Sequence, residues 1–143
     1  AQYQAGIANY DEAHQILDPS TNKYIGEIGM GVSTKNALLQ NNPDQVIALE
    51  VWLFDKADER NIGNQTRILL SEYAVDHNLE QAFLKERQDD PRPFTAQPGV
   101  RFQLEGHSLR LDCEIIEATY TKSGSSKGIF QHVKVEMTVL QKT

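Results

Sequence analysis

Four histidines, one cysteine, an acidic loop and a glycine-rich strand are the residues from which this chain could build a reactive centre. His14, His77, His107 and His132 are scattered, with no His-x-x-x-His pair and no neighbouring cysteine. A zinc site needs about three or four converging ligands, so surface or half-buried histidines are the simpler reading. His132 is expected across a hairpin from a residue near Asp112–Ile116, where a site could still assemble in space. Asp55, Asp58 and Glu59 resemble a calcium loop only loosely. The pattern breaks at Ala57 and Arg60, and Lys56 and Arg60 counter the charge. A solvated hairpin loop is expected there.

Gly26, Gly29 and Gly31 have the order G-x-x-G-x-G, not that of a dinucleotide fold, and no helical pattern follows. Glycines in a strand more often let a large neighbour pack close, here Trp52 or a tyrosine. No G-x-S-x-G elbow occurs. Cys113 falls in mid-strand without an electropositive neighbourhood and reads as a small buried hydrophobe. Glu114 and Glu117 would lie on opposite faces of a regular strand, an exclusion that a bulge between them would lift. Asn64-Gln65-Thr66 is a glycosylation sequon, relevant only to a secreted eukaryotic chain. No catalytic, cofactor-binding or metal-ligating residue is expected, no cofactor, and no enzymatic activity.

The elements that would position these residues are mostly strands, because the apolar period is mostly two. Ile28, Met30 and Val32 share a face of one strand. Val46–Asp55 is almost continuously apolar and reads as a central strand covered on both faces. Arg67–Tyr73, Gly99–Leu104 and a weaker Tyr10–Leu17 are further candidates. In Ser108–Tyr120, Leu109, Leu111, Cys113 and Ile115 alternate with polar residues. The pair Ile115-Ile116 then shifts the phase by one, as a β-bulge does. Ile129–Leu140 alternates again, and Ser123–Gly128 reads as the hairpin loop between these two long strands. One short helix is expected near 79–88, with Asn78 as N-cap, Gln81 as capping-box partner and Asp89-Asp90-Pro91 as the stop. About seven or eight strands at this spacing indicate an all-β fold, an antiparallel sandwich or partly open barrel. Residues 1–143 read as one domain. Trp52, Leu53, Phe54, Leu109, Leu111, Val133 and Val135 are expected to contribute to the core, with residues on opposite sides of a strand facing different layers.

Composition narrows the function. The 143 residues carry a formal charge of −6, spread as −2 over 1–43, −5 over 44–95 and +1 over 96–143. No segment has the basic footprint of nucleic-acid binding. No apolar run reaches the roughly 18–20 residues that a spanning helix needs, so no direct membrane insertion is expected. No basic stretch followed by an apolar stretch opens the sequence, so no signal peptide is expected in it. It starts at Ala1 rather than Met, which reads as processed, trimmed or cut from something longer. A single cysteine fits a reducing compartment.

The run Ala48-Leu-Glu-Val-Trp-Leu-Phe-Asp-Lys56, followed by Thr66-Arg-Ile-Leu-Leu-Ser-Glu-Tyr-Ala74, resembles a β-rich domain of uncharacterised bacterial proteins. Gln97-Pro98-Gly99 and the alternating C-terminal strands fit the same pattern, and Tyr24–Val32 fits it more loosely. The resemblance covers residues 24–140, and the tryptophan-containing strand is its distinctive motif. In such proteins the domain sometimes follows a zinc ribbon, which a chain with one cysteine lacks. The resemblance implies a cytoplasmic or membrane-associated bacterial module of unknown function, and it carries over no site residue.

The expected function is therefore a non-enzymatic protein-interaction or assembly module. It would use a sheet edge or an exposed face to bind a protein partner or itself, because long alternating strands often leave an edge open. Lys134 and Lys142 could protect such an edge. The alternative is a small-ligand or carbohydrate-binding sandwich with Trp or Tyr on a concave face beside polar residues. The expected location is cytoplasmic, with any membrane association made through parts outside this chain.

Overall fold

The most apolar run of the chain becomes the centre of a sheet. The structure is a computed structural model that describes residues 1–5, 10–32, 38, 45–57, 64–79, 93–122 and 127–142. Its elements are β1 (Gln2–Gln4), β2 (Asp11–Leu17), β3 (Tyr24–Gly31), β4 (Ala48–Asp55), β5 (Asn64–Leu70), α1 (Glu72–Asp76), β6 (Phe94–Thr95), β7 (Arg101–Glu105), β8 (Leu109–Tyr120) and β9 (Phe130–Gln141). One sheet has the order β2-β3-β4-β5-β6, and the other β1-β9-β8-β7. β4 lies in the middle of the five-stranded sheet and is buried along both faces, as its apolar sequence requires. All pairings are antiparallel except β5 with β6, which is parallel over two residue pairs.

The sheets pack as a sandwich around one core. Ile28, Met30, Leu49, Val51, Leu53 and Leu69 meet Leu104, Leu109, Leu111, Ile115, Val133 and Val135 there. These are every second residue of their strands, so the period-two pattern decides which side chains are inside. Trp52 and Phe54 depart from the expected core set. They alternate with Val51 and Leu53, so they project from the outer face of β4 and are only half buried. Among the described residues no helix is long and apolar enough to cross a membrane.

The phase shift in β8 is a bulge. Ile115 faces Val135 and Glu117 faces Lys134, which leaves Ile116 unpaired and 36% exposed. Beyond it Ala118 and Tyr120 turn inward and pack on the core.

The expected strand Arg67–Tyr73 ends earlier, at Leu70. Ser71 turns the chain there, because its hydroxyl accepts from Ala74 N–H at 3.1 Å and caps α1. Asn78 does not adopt the extended backbone of an N-cap. Its φ is +56°, and it closes α1 instead: Asn78 N–H donates to Val75 O and Leu79 N–H to Ala74 O. Asparagine tolerates this left-handed geometry as well as it caps a helix start, so its identity alone did not discriminate. Beyond Leu79, the helix expected near 79–88 lies outside the described residues. Ser71→Ala is expected to cost about 1 kcal/mol, read as a lower midpoint of urea unfolding at unchanged slope.

Candidate functional site

Among the described residues no group of three or more His, Cys, Asp or Glu side chains converges to hold a metal ion. Cys113 is buried, and burial, with Asp112 adding to it, pushes its thiol up to about 12. It is a protonated core side chain at neutral pH. His14 bonds Glu12 at 2.9 Å on an exposed edge, and His77 stacks on Tyr73.

His132 gains a partner, but not in the expected stretch. The bulge at Ile116 moves Glu117 onto the outer face of β8, where its Oε2 lies 2.8 Å from His132 Nδ1. Gln2 Nε2 lies 2.7 Å from the other ring nitrogen. The ring therefore ties β1, β8 and β9 together on one surface. Glu114 and Glu117 also share that outer face, the outcome that a bulge permits.

That surface is mostly polar, with Ile116 and Leu140 exposed on it. Arg101 pairs with Glu114 and Arg110 with Asp112, each at 3.0 Å. Glu136 stands directly opposite Glu114. A shallow depression of about 450 Å³ lies over Arg101, Gln103, Asp112, Glu114, Glu136 and Thr138. Exposed pairs of this kind contribute little stability and no reactive group.

The acidic loop resolves differently. Asp55 is 1% exposed, not solvated. Its carboxylate accepts from Ser108 N–H at 2.6 Å, Leu109 N–H at 3.0 Å, Ser108 Oγ at 3.0 Å and Ala57 N–H at 3.0 Å. It clasps the end of β4 to the β7–β8 turn, joining the two sheets. Asp58 and Glu59 lie outside the described residues. A second clasp is Glu12, which accepts from Gln2 N–H and Tyr10 OH and joins β2 to β1. Burial raises its pKa, but hydrogen bonds from His14, Gln2 and Tyr10 hold it down at about 2.

Arg67, expected only as the first residue of a strand, lies inside β5. It sits opposite Val51, on the core face of β5, and its guanidinium lies 5.0 Å from the Phe94 ring and 5.8 Å from Phe102. The two rings supply favourable π faces to a cation that burial otherwise penalises.

The three glycines of β3 serve packing. Trp52 lies over Gly29, and its indole N–H donates to Glu27 at 3.2 Å. Tyr24 stacks on Phe54 beside this pair, with Lys56 over the Tyr24 ring. The outer face of the five-stranded sheet thus carries Trp52, Phe54 and Tyr24 with Glu27 between strands.

At the edge of the other sheet, one stretch pairs with no strand among the described residues. β9 has 12 residues and β1 only 3, and β1 covers just His132–Lys134. Ala1 extends the contact to Val135, with N–H···O bonds of 2.9 Å in both directions. Hydrogen-bonding direction alternates along a strand. Val135 bonds toward β1, and Lys142 N–H bonds toward Ser108 beside β8. The backbone groups of Met137, Val139 and Gln141 therefore point to the free side, where no described strand pairs with them. Neither lysine guards this stretch. Lys134 faces Gln2, and Lys142 Nζ reaches back to Glu105 and Gly106 O.

Comparisons of the chain with protein-family models, curated proteins and solved structures found no match.

Proposed function

We propose that this chain is a non-enzymatic interaction module that accepts an extended protein segment as an added strand along Met137–Gln141. The observation that carries this reading is that no described strand pairs with the outward side of Met137–Gln141. Backbone donors and acceptors there are aimed outward beside half-buried Met137 and Val139. An edge of this kind binds through main-chain bonds, and alternate side chains of the added strand set specificity. Ile16 packs on the same core from the edge strand of the facing sheet, and Leu17 beside it is 45% exposed. A strand with alternating apolar residues would cover this apolar margin. The acidic charge gives no support for a nucleic-acid partner. The reading of a cytoplasmic bacterial module rests on the lone cysteine and on the resemblance of the Ala48–Lys56 run.

Selection from a displayed random-peptide library tests the proposal. Enriched peptides are expected to alternate apolar and polar residues and to lose binding to Val139→Pro. That substitution removes an outward N–H while leaving the β8–β9 ladder donors in place. Binders indifferent to Val139→Pro, in a variant shown to be folded by circular dichroism, would place the interaction elsewhere.

A second reading, a carbohydrate-binding sandwich, is supported by Trp52, Phe54 and Tyr24 grouped with Glu27 on one outer face. Quenching or shift of Trp52 fluorescence by an oligosaccharide panel is its test.

A further inference from the structure

We infer that Arg67, with the rings of Phe94 and Phe102, forms a binding site for the carboxylate of a small apolar acid, at the margin of the sandwich where β5 and β6 face β7. This site is independent of the edge-pairing reading. Arg67 projects from the core face of β5, where the alternation of the strand calls for an apolar side chain. Leu69, two residues on, holds the same face and is fully buried. The guanidinium carbon lies 5.0 Å from the Phe94 ring on β6 and 5.8 Å from the Phe102 ring on β7. The two ring centroids are 5.1 Å apart and the planes are inclined at 59°, so the rings form two walls beside the cation.

The cation has walls but no counter-ion. Its Nε is buried and donates to no acceptor. Among the described residues no carboxylate pairs with it, and the ionisable group that bears on it is the Cys113 thiol, protonated at neutral pH. A buried charge without a partner is costly, and π faces offset only part of that cost. The residue as a whole is half buried, so its guanidinium stays open on one side. A carboxylate seated end-on across the terminal nitrogens supplies the missing charge through two parallel hydrogen bonds. One cation between apolar walls favours a monoanion over a phosphate dianion, whose second charge would meet no partner. Arg101 adds no second cation, because it lies on the outer face of β7 and pairs with Glu114. The apolar body of the acid packs on Phe94, which is itself half buried.

Titration of the full chain with benzoate, followed by proton–nitrogen correlation NMR, tests the site. Saturable shifts centred on the amides of Arg67, Phe94 and Phe102 are expected, with a dissociation constant on the order of 1 mM for so small a ligand. Benzamide, the neutral analogue of the same shape, should bind the parent protein at least about tenfold more weakly. Arg67→Met keeps the length of the side chain without its charge and should lose benzoate binding. It should retain a dispersed spectrum and an unfolding midpoint no lower than the parent's, because it removes an uncompensated charge. Arg67→Lys keeps the charge without the planar fork and should weaken binding about tenfold. The inference is overturned if benzoate gives no saturable shift up to about 20 mM, or if benzamide binds equally well. Unchanged benzoate affinity in folded Arg67→Met would also overturn it. Displacement of benzoate by a lower concentration of inorganic phosphate would overturn the choice of a carboxylate. None of these outcomes bears on strand addition along Met137–Gln141, which is read separately through Val139→Pro.

Discussion

Replacing Asp55 by alanine is expected to destabilise the fold by about 3–5 kcal/mol, the largest effect of a polar substitution among the described residues. The carboxylate is nearly inaccessible and accepts from three backbone N–H groups and one hydroxyl. Alanine removes the acceptor and leaves the Ser108 and Leu109 donors facing apolar surroundings. No water can readily replace it, because Gly106 packs directly on the Asp55 side chain. Bonds to a charged acceptor contribute roughly 1.5–3 kcal/mol each when broken singly, and they act here as one unit, so the total is less than their sum.

The effect should depend on pH in a stated direction. Burial by itself raises the Asp55 pKa, and the hydrogen bonds from Ser108, Ala57 and Leu109 reverse this, so the folded value lies below the ordinary one. A depressed carboxylate binds its proton more weakly in the folded than in the unfolded chain. Its stabilisation is complete above the unfolded pKa of about 3.9 and is lost as pH falls through the depressed folded value. Urea unfolding of the parent and Asp55→Ala should therefore differ by a constant amount from about pH 8 to pH 5 and converge in stronger acid. Asp55→Asn keeps one acceptor oxygen and should fall between them. A loss below about 1 kcal/mol for alanine at neutral pH would show that the clasp is ornamental.

Gly29→Val is expected to cost about 2–3 kcal/mol, although it replaces a weak strand former by a strong one. A Cβ at position 29 would stand 2.5 Å from Trp52 Cε2 and 2.6 Å from the backbone oxygen of Glu12. The indole can swing away, but the Glu12 carbonyl belongs to the paired strand β2 and cannot move without opening it. The strain should displace Trp52 from its bond to Glu27 and shift its emission to the red. Combining Gly29→Val with Trp52→Ala should recover only part of the loss, because the backbone contact persists. Full recovery would mean that the indole alone forbids a side chain there.

Much of the fold is legible along the chain. Ile28 and Met30, Val51 and Leu53, Leu109 and Leu111, Val133 and Val135 each mark an inward face by simple alternation, and all are buried. The doubled isoleucine announced the bulge. The misplacements share a cause. Trp52 and Phe54 are large and apolar, so hydrophobicity put them in the core, but they lie on the outer face of β4, where they are only half buried. Ser71 and Asn78 both signal helix ends, but serine and asparagine each fit several cap geometries, and the flanking packing chose among them. β1 and β6, with 3 and 2 residues, are too short to show any period.

The candidate site was less legible than the fold, and the reason is geometric. An edge strand and a central strand have the same alternating pattern, since alternation reports faces and says nothing of lateral neighbours. That β9 is long and alternating was determined by its own residues, as were the sandwich class, the bulge and the lack of a local catalytic motif. The tertiary structure alone decided that β1 lies beside β9, that Asp55 reaches a turn more than fifty residues away, and that Glu117 meets His132. Each of these depends on which strand lies beside or across from which. That is settled by packing two sheets around a shared core, an interaction that no single segment of the chain contains.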